Sequence, residues 1–263
     1  MGGNSPPRSP ANMKTASILI TTRYRSRRAQ AAFTLIELLV VIAIMGILAG
    51  FLVGLAPAAG AKMRESRVRA ELASLTSIIE AYKAKYGFYP PDGFDKSTGL
   101  VDPRLSPLYY ELTGMQVINP KDAARGVFKS VSGGETVKPR VVEALFGRDG
   151  FANSGADRRQ LFNASFRASQ HAVVFTDTSD PTIAMEVLAV GVPFPANHPD
   201  YPIKNLQRGS YTLNKPGVNP WRYVSSTPTN NPTSFDLWAE IPVRDRTAPN
   251  GYSTRIIGNW KNR

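Results

Sequence analysis

No cysteine occurs among the 263 residues. Disulfides, zinc–thiolate sites and thiol catalysis are therefore excluded, and the redox compartment leaves no trace in the sequence. Histidine is nearly as scarce, with two copies, His171 and His198. Neither has a neighbour at metal-ligand spacing, and "NHPD" around His198 reads as a turn. No G-x-S-x-G, Walker or dinucleotide fingerprint is present, so nothing points to an enzyme. Acidic residues are missing from residues 1–32, and Glu37 is the sole charge between Phe33 and Ala56.

What is there follows from those gaps. The net charge is +12. Arg8, Lys14, Arg23, Arg25, Arg27 and Arg28 make residues 1–32 a basic tail, and without them 26 basic residues face 20 acidic ones, a net of +6. Half of the excess thus belongs to a leader with its own explanation, so nucleic acid is not expected as a partner. The 21 glycines and 21 prolines favour turns and short strands over a helical bundle. Met13 offers a second start and a shorter leader.

Phe33–Ala56 is a 24-residue apolar run, and a membrane span needs roughly 20. The arginines just before it place the N-terminus in the cytoplasm and everything after Ala56 outside. Beyond Pro57 the pattern changes. Val68, Leu72, Leu75, Ile79, Tyr82 and Tyr86 recur at spacings of four and three, one apolar stripe on an amphipathic helix. Gly87 is the expected C-cap, and Pro90 and Pro91 forbid continuation. One helix from Phe33 to Tyr86 is expected, apolar on all sides in its first half and on one face in its second.

Residues 92–170 are turn-rich, with short helices expected at Leu105–Leu112 and Val141–Phe146. Strand-like runs follow: "HAVVFTDT", "IAMEVLAVGV", "WRYV", "SFDLWAEIPV" and "STRIIGNW". Phe235, Leu237, Ala239, Ile241 and Val243 alternate with polar or larger neighbours, the period of a strand with one buried face. Short connections make the sheet mainly antiparallel.

The N-terminus admits two ordinary explanations. A secretory signal cut near "LAPAAGA" is opposed by the length of the apolar core, which exceeds the usual 7–15 or so residues. A generic signal anchor accounts for length and orientation but not for Glu37. The arrangement "RSRRAQAA" followed by "FTLIELLVVIAI" closely resembles the class III signal of type IV pilins and type II secretion pseudopilins. That resemblance implies cleavage between Ala32 and Phe33 by a prepilin peptidase and methylation of the new Phe33 amine. Ala32 stands where the family usually has glycine. Glu37 becomes the fifth mature residue, the family's near-obligatory glutamate, which pairs with a neighbouring subunit's amine during assembly. Gly46, Gly50 and Gly54 form a small-residue face suited to close helix approach, and Pro57 is a candidate kink.

"GFYPPD" after the helix, "NPWRYVSS" at 219–226, "FDLW" at 235–238 and "IIGNW" at 256–260 resemble segments of the major pseudopilin in order and spacing. The resemblance covers about residues 20–91 and 217–263 and omits 92–216. It implies a pilin-like α+β fold: a leader (1–32), a transmembrane and assembly half-helix (33–56), an amphipathic half-helix (57–91), an insertion (92–216) and a C-terminal antiparallel β region (217–263). The family's calcium loop corresponds to "RDRTAPNGYSTR" at 244–255. Asp245 is its sole acid, whereas calcium needs six to eight oxygens and usually several carboxylates, so neither calcium nor another cofactor is expected. The implied function is that of a structural subunit, anchored in the inner membrane with its domain in the periplasm. Its expected partners are copies of itself and other pseudopilins, the peptidase, and an assembly platform with its ATPase. The alternative is a membrane-anchored periplasmic binding or envelope protein that uses the helix only as an anchor.

Overall fold

The computed structural model describes residues 33–118, 126–132, 136–178, 184–195, 198 and 201–260, without the side chains of 52–59. The leader lies outside these residues, as do the surroundings of Gly54 and Pro57. The chain forms two units, Met1–Gly54 and Leu55–Arg263, and the first helix, α1 (Leu35–Tyr86), contributes to both.

In the second unit the expected stripe is the buried face of α1. Val68, Leu72, Leu75, Ile79 and Tyr82 are buried and Tyr86, the last of the stripe, is half-buried, while Arg67, Arg69 and Lys85 stay exposed. Each such side chain contributes roughly 1.5–3 kcal/mol on full burial, enough to dock a helix whose polar face does nothing comparable. α1 ends as its composition dictates. Gly87 takes φ +82° and its N–H bonds Lys83 O at 2.7 Å, a left-handed closure that glycine adopts without steric cost.

The remaining elements are short. They run β1 (Met115–Ile118) after α2 (Leu108–Thr113), then β2 (Val127–Ser130), β3 (Thr136–Val137), α3 (Pro139–Phe146) and β4 (Ser154–Gly155). β5 (His171–Thr176), β6 (Ala184–Leu188), β7 (Leu206–Arg208), β8 (Tyr211–Leu213), β9 (Arg222–Val224), β10 (Asp236–Arg244) and β11 (Tyr252–Gly258) follow. Both expected short helices form, with shifted ends: α2 begins at Leu108, and α3 begins at Pro139, where proline suits the first helical turn. The five strand-like runs become β5, β6, β9, β10 and β11. The weakly patterned strands between Met115 and Gly155, and the β7–β8 hairpin, carried no clear alternation in the sequence.

The C-terminal sheet has the order β11–β10–β9 and is antiparallel throughout, with Leu237 opposite Tyr223 and Ala239 opposite Ile257. Leu237, Ala239 and Ile241 are buried, whereas Trp238, Glu240 and Pro242 are half-buried, as the period of two requires. β1–β4 form a second sheet, antiparallel except for the β1–β4 pair. Residues 92–216 do not pack separately. Leu105, Leu112, Val142, Phe146 and Val187 share one core with the α1 stripe and with Tyr223, Phe235 and Leu237. β6 is also continued toward β9, through Trp221 N–H to Leu188 O (2.9 Å) and Val190 N–H to Asn219 O (2.7 Å).

Candidate assembly site

α1 opens on the sequence Phe33-Thr34-Leu35-Ile36-Glu37. Thr34 is the N-cap. Its Oγ1 accepts the Glu37 backbone N–H at 3.3 Å, and Glu37 Oε2 accepts the Thr34 backbone N–H at 2.9 Å and its hydroxyl at 2.8 Å. This is a capping box: two otherwise unsatisfied helix donors are answered by side chains three residues apart. A carboxylate in the first turn also faces the positive end of the helix dipole. Glu37 therefore has a local partner within its own chain, which the sequence analysis overlooked although T-x-x-E before an apolar run spells it out. The box holds the carboxylate beside residue 33, where cleavage would create the amine.

The surroundings of this turn are wholly apolar and uncovered. Phe33 is 83% and Leu35 81% exposed, and Ile36, Leu38, Leu39, Val40, Val41 and Ile42 follow, all exposed. Successive helical residues point 100° apart, so the surface is apolar on every side and needs lipid or other helices to cover it. A Cβ added at Gly46 or Gly50 would meet nothing within 4 Å, so close approach by another helix is open there. Among the described residues no helix is long and apolar enough to cross a membrane. Of the expected site residues, Glu37, Gly46 and Gly50 lie on α1 and Phe33 stands two residues before its start, Gly54 and Pro57 fall in 52–59, and Ala32 lies outside the described residues.

In the second unit, the segments that were separate in the sequence interlock. Tyr223 of "WRYV" donates its hydroxyl to Pro90 O of "YPPD" at 2.8 Å, and Ser225 Oγ donates to the same carbonyl at 2.9 Å. Asp92, buried, accepts the backbone N–H groups of Ser225 and Ser226, both at 2.9 Å. Asn259 of "IIGNW" fastens the end of the chain onto β10. It accepts Leu237 N–H (3.0 Å) and donates to Phe235 O (2.9 Å). Asp236 accepts the N–H groups of Thr229, Asn230 and Asn231 at 2.8–2.9 Å, organising the loop before β10.

A buried network ties the amphipathic half of α1 to residues 92–216. Glu111 Oε2 accepts the Tyr82 hydroxyl (3.0 Å) and Asn153 N–H (2.9 Å), and its Oε1 accepts Ala152 N–H (2.8 Å). Tyr86 donates to Asn153 Oδ1 at 2.6 Å. Burial pushes the Glu111 carboxyl above the usual carboxylate range, against the pull of these donors, and burial likewise pushes the Tyr82 hydroxyl up.

In the loop 244–255, Asp245 accepts the Thr247 hydroxyl at 2.6 Å and its N–H at 2.9 Å. These bonds, the hydroxyl foremost, hold the carboxyl below its usual range. Among the described residues no cluster of three or more His, Cys, Asp or Glu forms that would hold a metal.

A family description named the prokaryotic N-terminal methylation motif matches residues 27–53, which include Phe33, Thr34 and Glu37. The type II secretion system core protein G of Klebsiella michiganensis is 32% identical over 111 residues, covering 78% of that protein and 41% of this chain. The chain belongs to the pseudopilin family. No solved structure matches it significantly. As a pseudopilin it is a structural subunit, with a helix packed on antiparallel sheets. Its relative is matched over less than half of this chain, so much of the domain lies beyond that likeness.

Proposed function

We propose that this pseudopilin is cut between Ala32 and Phe33, methylated on the Phe33 amine, held in the inner membrane by residues 33–56, and drawn into a periplasmic pseudopilus of a type II secretion system or a type IV pilus-like filament. The observation that carries the proposal is the capped first turn of α1, which presents Glu37 beside Phe33 on a helix that is apolar all round. In the monomer the carboxylate is satisfied by Thr34. In a filament core, where water is excluded, a free amine from a neighbour offers a stronger, charge-assisted partner. Pairing then depends on stagger, so Glu37 sets register as the exposed apolar residues supply packing. Copies of this chain, related pseudopilins, a prepilin peptidase and an ATP-driven platform are the proposed partners. Catalysis and a bound cofactor form no part of the proposal, and Asp245, engaged by Thr247, is not offered as a calcium ligand.

The alternative of an anchored binding protein rests on a large pocket in residues 92–216; cavities of about 610 and 410 Å³ lie there, and a larger cleft of about 920 Å³ is walled mainly by α1, β10 and β11. Intact-mass measurement of the chain from native membranes tests the proposal. The expected mass is that of a chain starting at Phe33 with one added methyl. An N-terminus near Lys62 would establish a secretory signal and overturn it.

A further inference from the structure

The 920 Å³ cleft lies at the start of the globular unit's share of α1, away from the core network. Its floor is apolar: Val192 and Ile241 are buried and Val243 is half-buried. Its rim is basic, with Lys62, Arg64, Arg244 and Arg255. Glu65 is the acid in the lining, and it is occupied by Arg69 (2.8 Å) and Arg255 (2.6 Å). Lys62, Arg64 and Arg244 are exposed and form no ion pair among the described residues. The neighbouring acid Asp245 is engaged by Thr247. Three cations thus surround an apolar floor with no counter-charge of their own, and Met63, between two of them in sequence, is 65% exposed.

Position along the chain identifies what fits. Lys62 follows Ala56 by six helical residues, roughly 9 Å at 1.5 Å per residue. The polar layer of a bilayer extends roughly 5–8 Å beyond each side of its hydrocarbon. If Phe33–Ala56 lies in the membrane, Lys62 and Arg64 start roughly 9 and 12 Å beyond its hydrocarbon, just outside the polar layer, and their long side chains can reach back to the phosphates. We propose that this cleft binds an anionic phospholipid headgroup, with the phosphodiester held by Lys62, Arg64 and Arg244 and the upper acyl chain laid on Ile241 and Val243. The inference rests on the membrane-anchor reading. An anionic lipid satisfies both charge and floor, which free phosphate does not.

The test is native mass spectrometry of the full-length chain in a neutral detergent with equimolar phosphatidylglycerol and phosphatidylcholine. Wild type should retain phosphatidylglycerol at least tenfold in preference. The triple variant Lys62→Gln, Arg64→Gln, Arg244→Gln should lose that preference while melting as wild type does, since none of the three has a side-chain partner among the described residues. Equal retention of both lipids by wild type, or an undiminished preference in the variant, would overturn the site. So would complete competition by millimolar inorganic phosphate, which would make it a free-anion site. Alkaline extraction of cell membranes separates the two ideas. Wild type released by carbonate would refute the anchor itself, whereas wild type that stays but shows no lipid preference refutes the headgroup site alone.

Discussion

Replacing Glu111 with glutamine tests whether the buried network carries the docking of α1. The carboxylate answers three donors: Ala152 N–H at 2.8 Å, Asn153 N–H at 2.9 Å and the Tyr82 hydroxyl at 3.0 Å. It can do so ionised, or protonated with its own O–H turned to the Tyr82 oxygen. Glutamine cannot. Its amide has one accepting oxygen, and its NH2 must face one of the two backbone N–H groups, leaving donors opposed around a side chain that is itself without exposure, although Ala152 is at the surface. A buried unsatisfied donor costs about 1–3 kcal/mol. For a domain of this size 1 kcal/mol shifts Tm by about 2–4 °C, so a fall of about 4–8 °C is expected for the middle of that range, read by near-ultraviolet circular dichroism of the chain in detergent. The pH dependence adds a second signature. Burial raises the Glu111 carboxyl, so its contribution is fully present below the unfolded value, roughly 4.3, and is lost as pH rises through the higher folded value. Wild type should therefore lose stability over that window by an amount that Glu111→Gln does not show. A variant melting within a degree of wild type, with the same pH profile, would refute the network as the pin between α1 and residues 92–216.

Two further outcomes follow from the helix N-terminus and the loop after β10. Glu37→Ala should leave membrane insertion intact but cut recovery in sheared filament fractions by about a hundredfold or more, since leaving one charge of a buried pair alone costs about 3–5 kcal/mol; Thr34→Ala, which loses the cap yet keeps the carboxylate, should assemble far better, and equal defects would refute the pairing role. Millimolar calcium should leave Tm nearly unchanged, because Asp245 is already engaged by Thr247; a rise approaching the one expected from about 2.7 kcal/mol at 100 times Kd would reveal a site completed by other ligands.

Periodicity carried the elements whose environment is set by one face. The α1 stripe from Val68 to Tyr82 and the alternation of β10 needed only that apolar side chains leave water, and a repeat of 3.6 or 2 says which side does so. The capping box was equally legible, because its partners are three residues apart. The features on which the proposed function rests were thus written locally: a basic leader, a junction at Ala32–Phe33, a carboxylate at position 37 and an apolar run. Tertiary structure alone decided the polar interior. Glu111 reads as a surface glutamate until α1 and residues 152–153 close over it, and Asp92 acquires its purpose only when "YPPD" meets "VSS" 133 residues away. The strands from Met115 to Gly155 are two to four residues long, too short to show a period, and exist because neighbours supply their hydrogen bonds. Local pattern records which side of an element avoids water. Which polar groups can also leave water depends on partners brought from afar, and the folded chain alone supplies them.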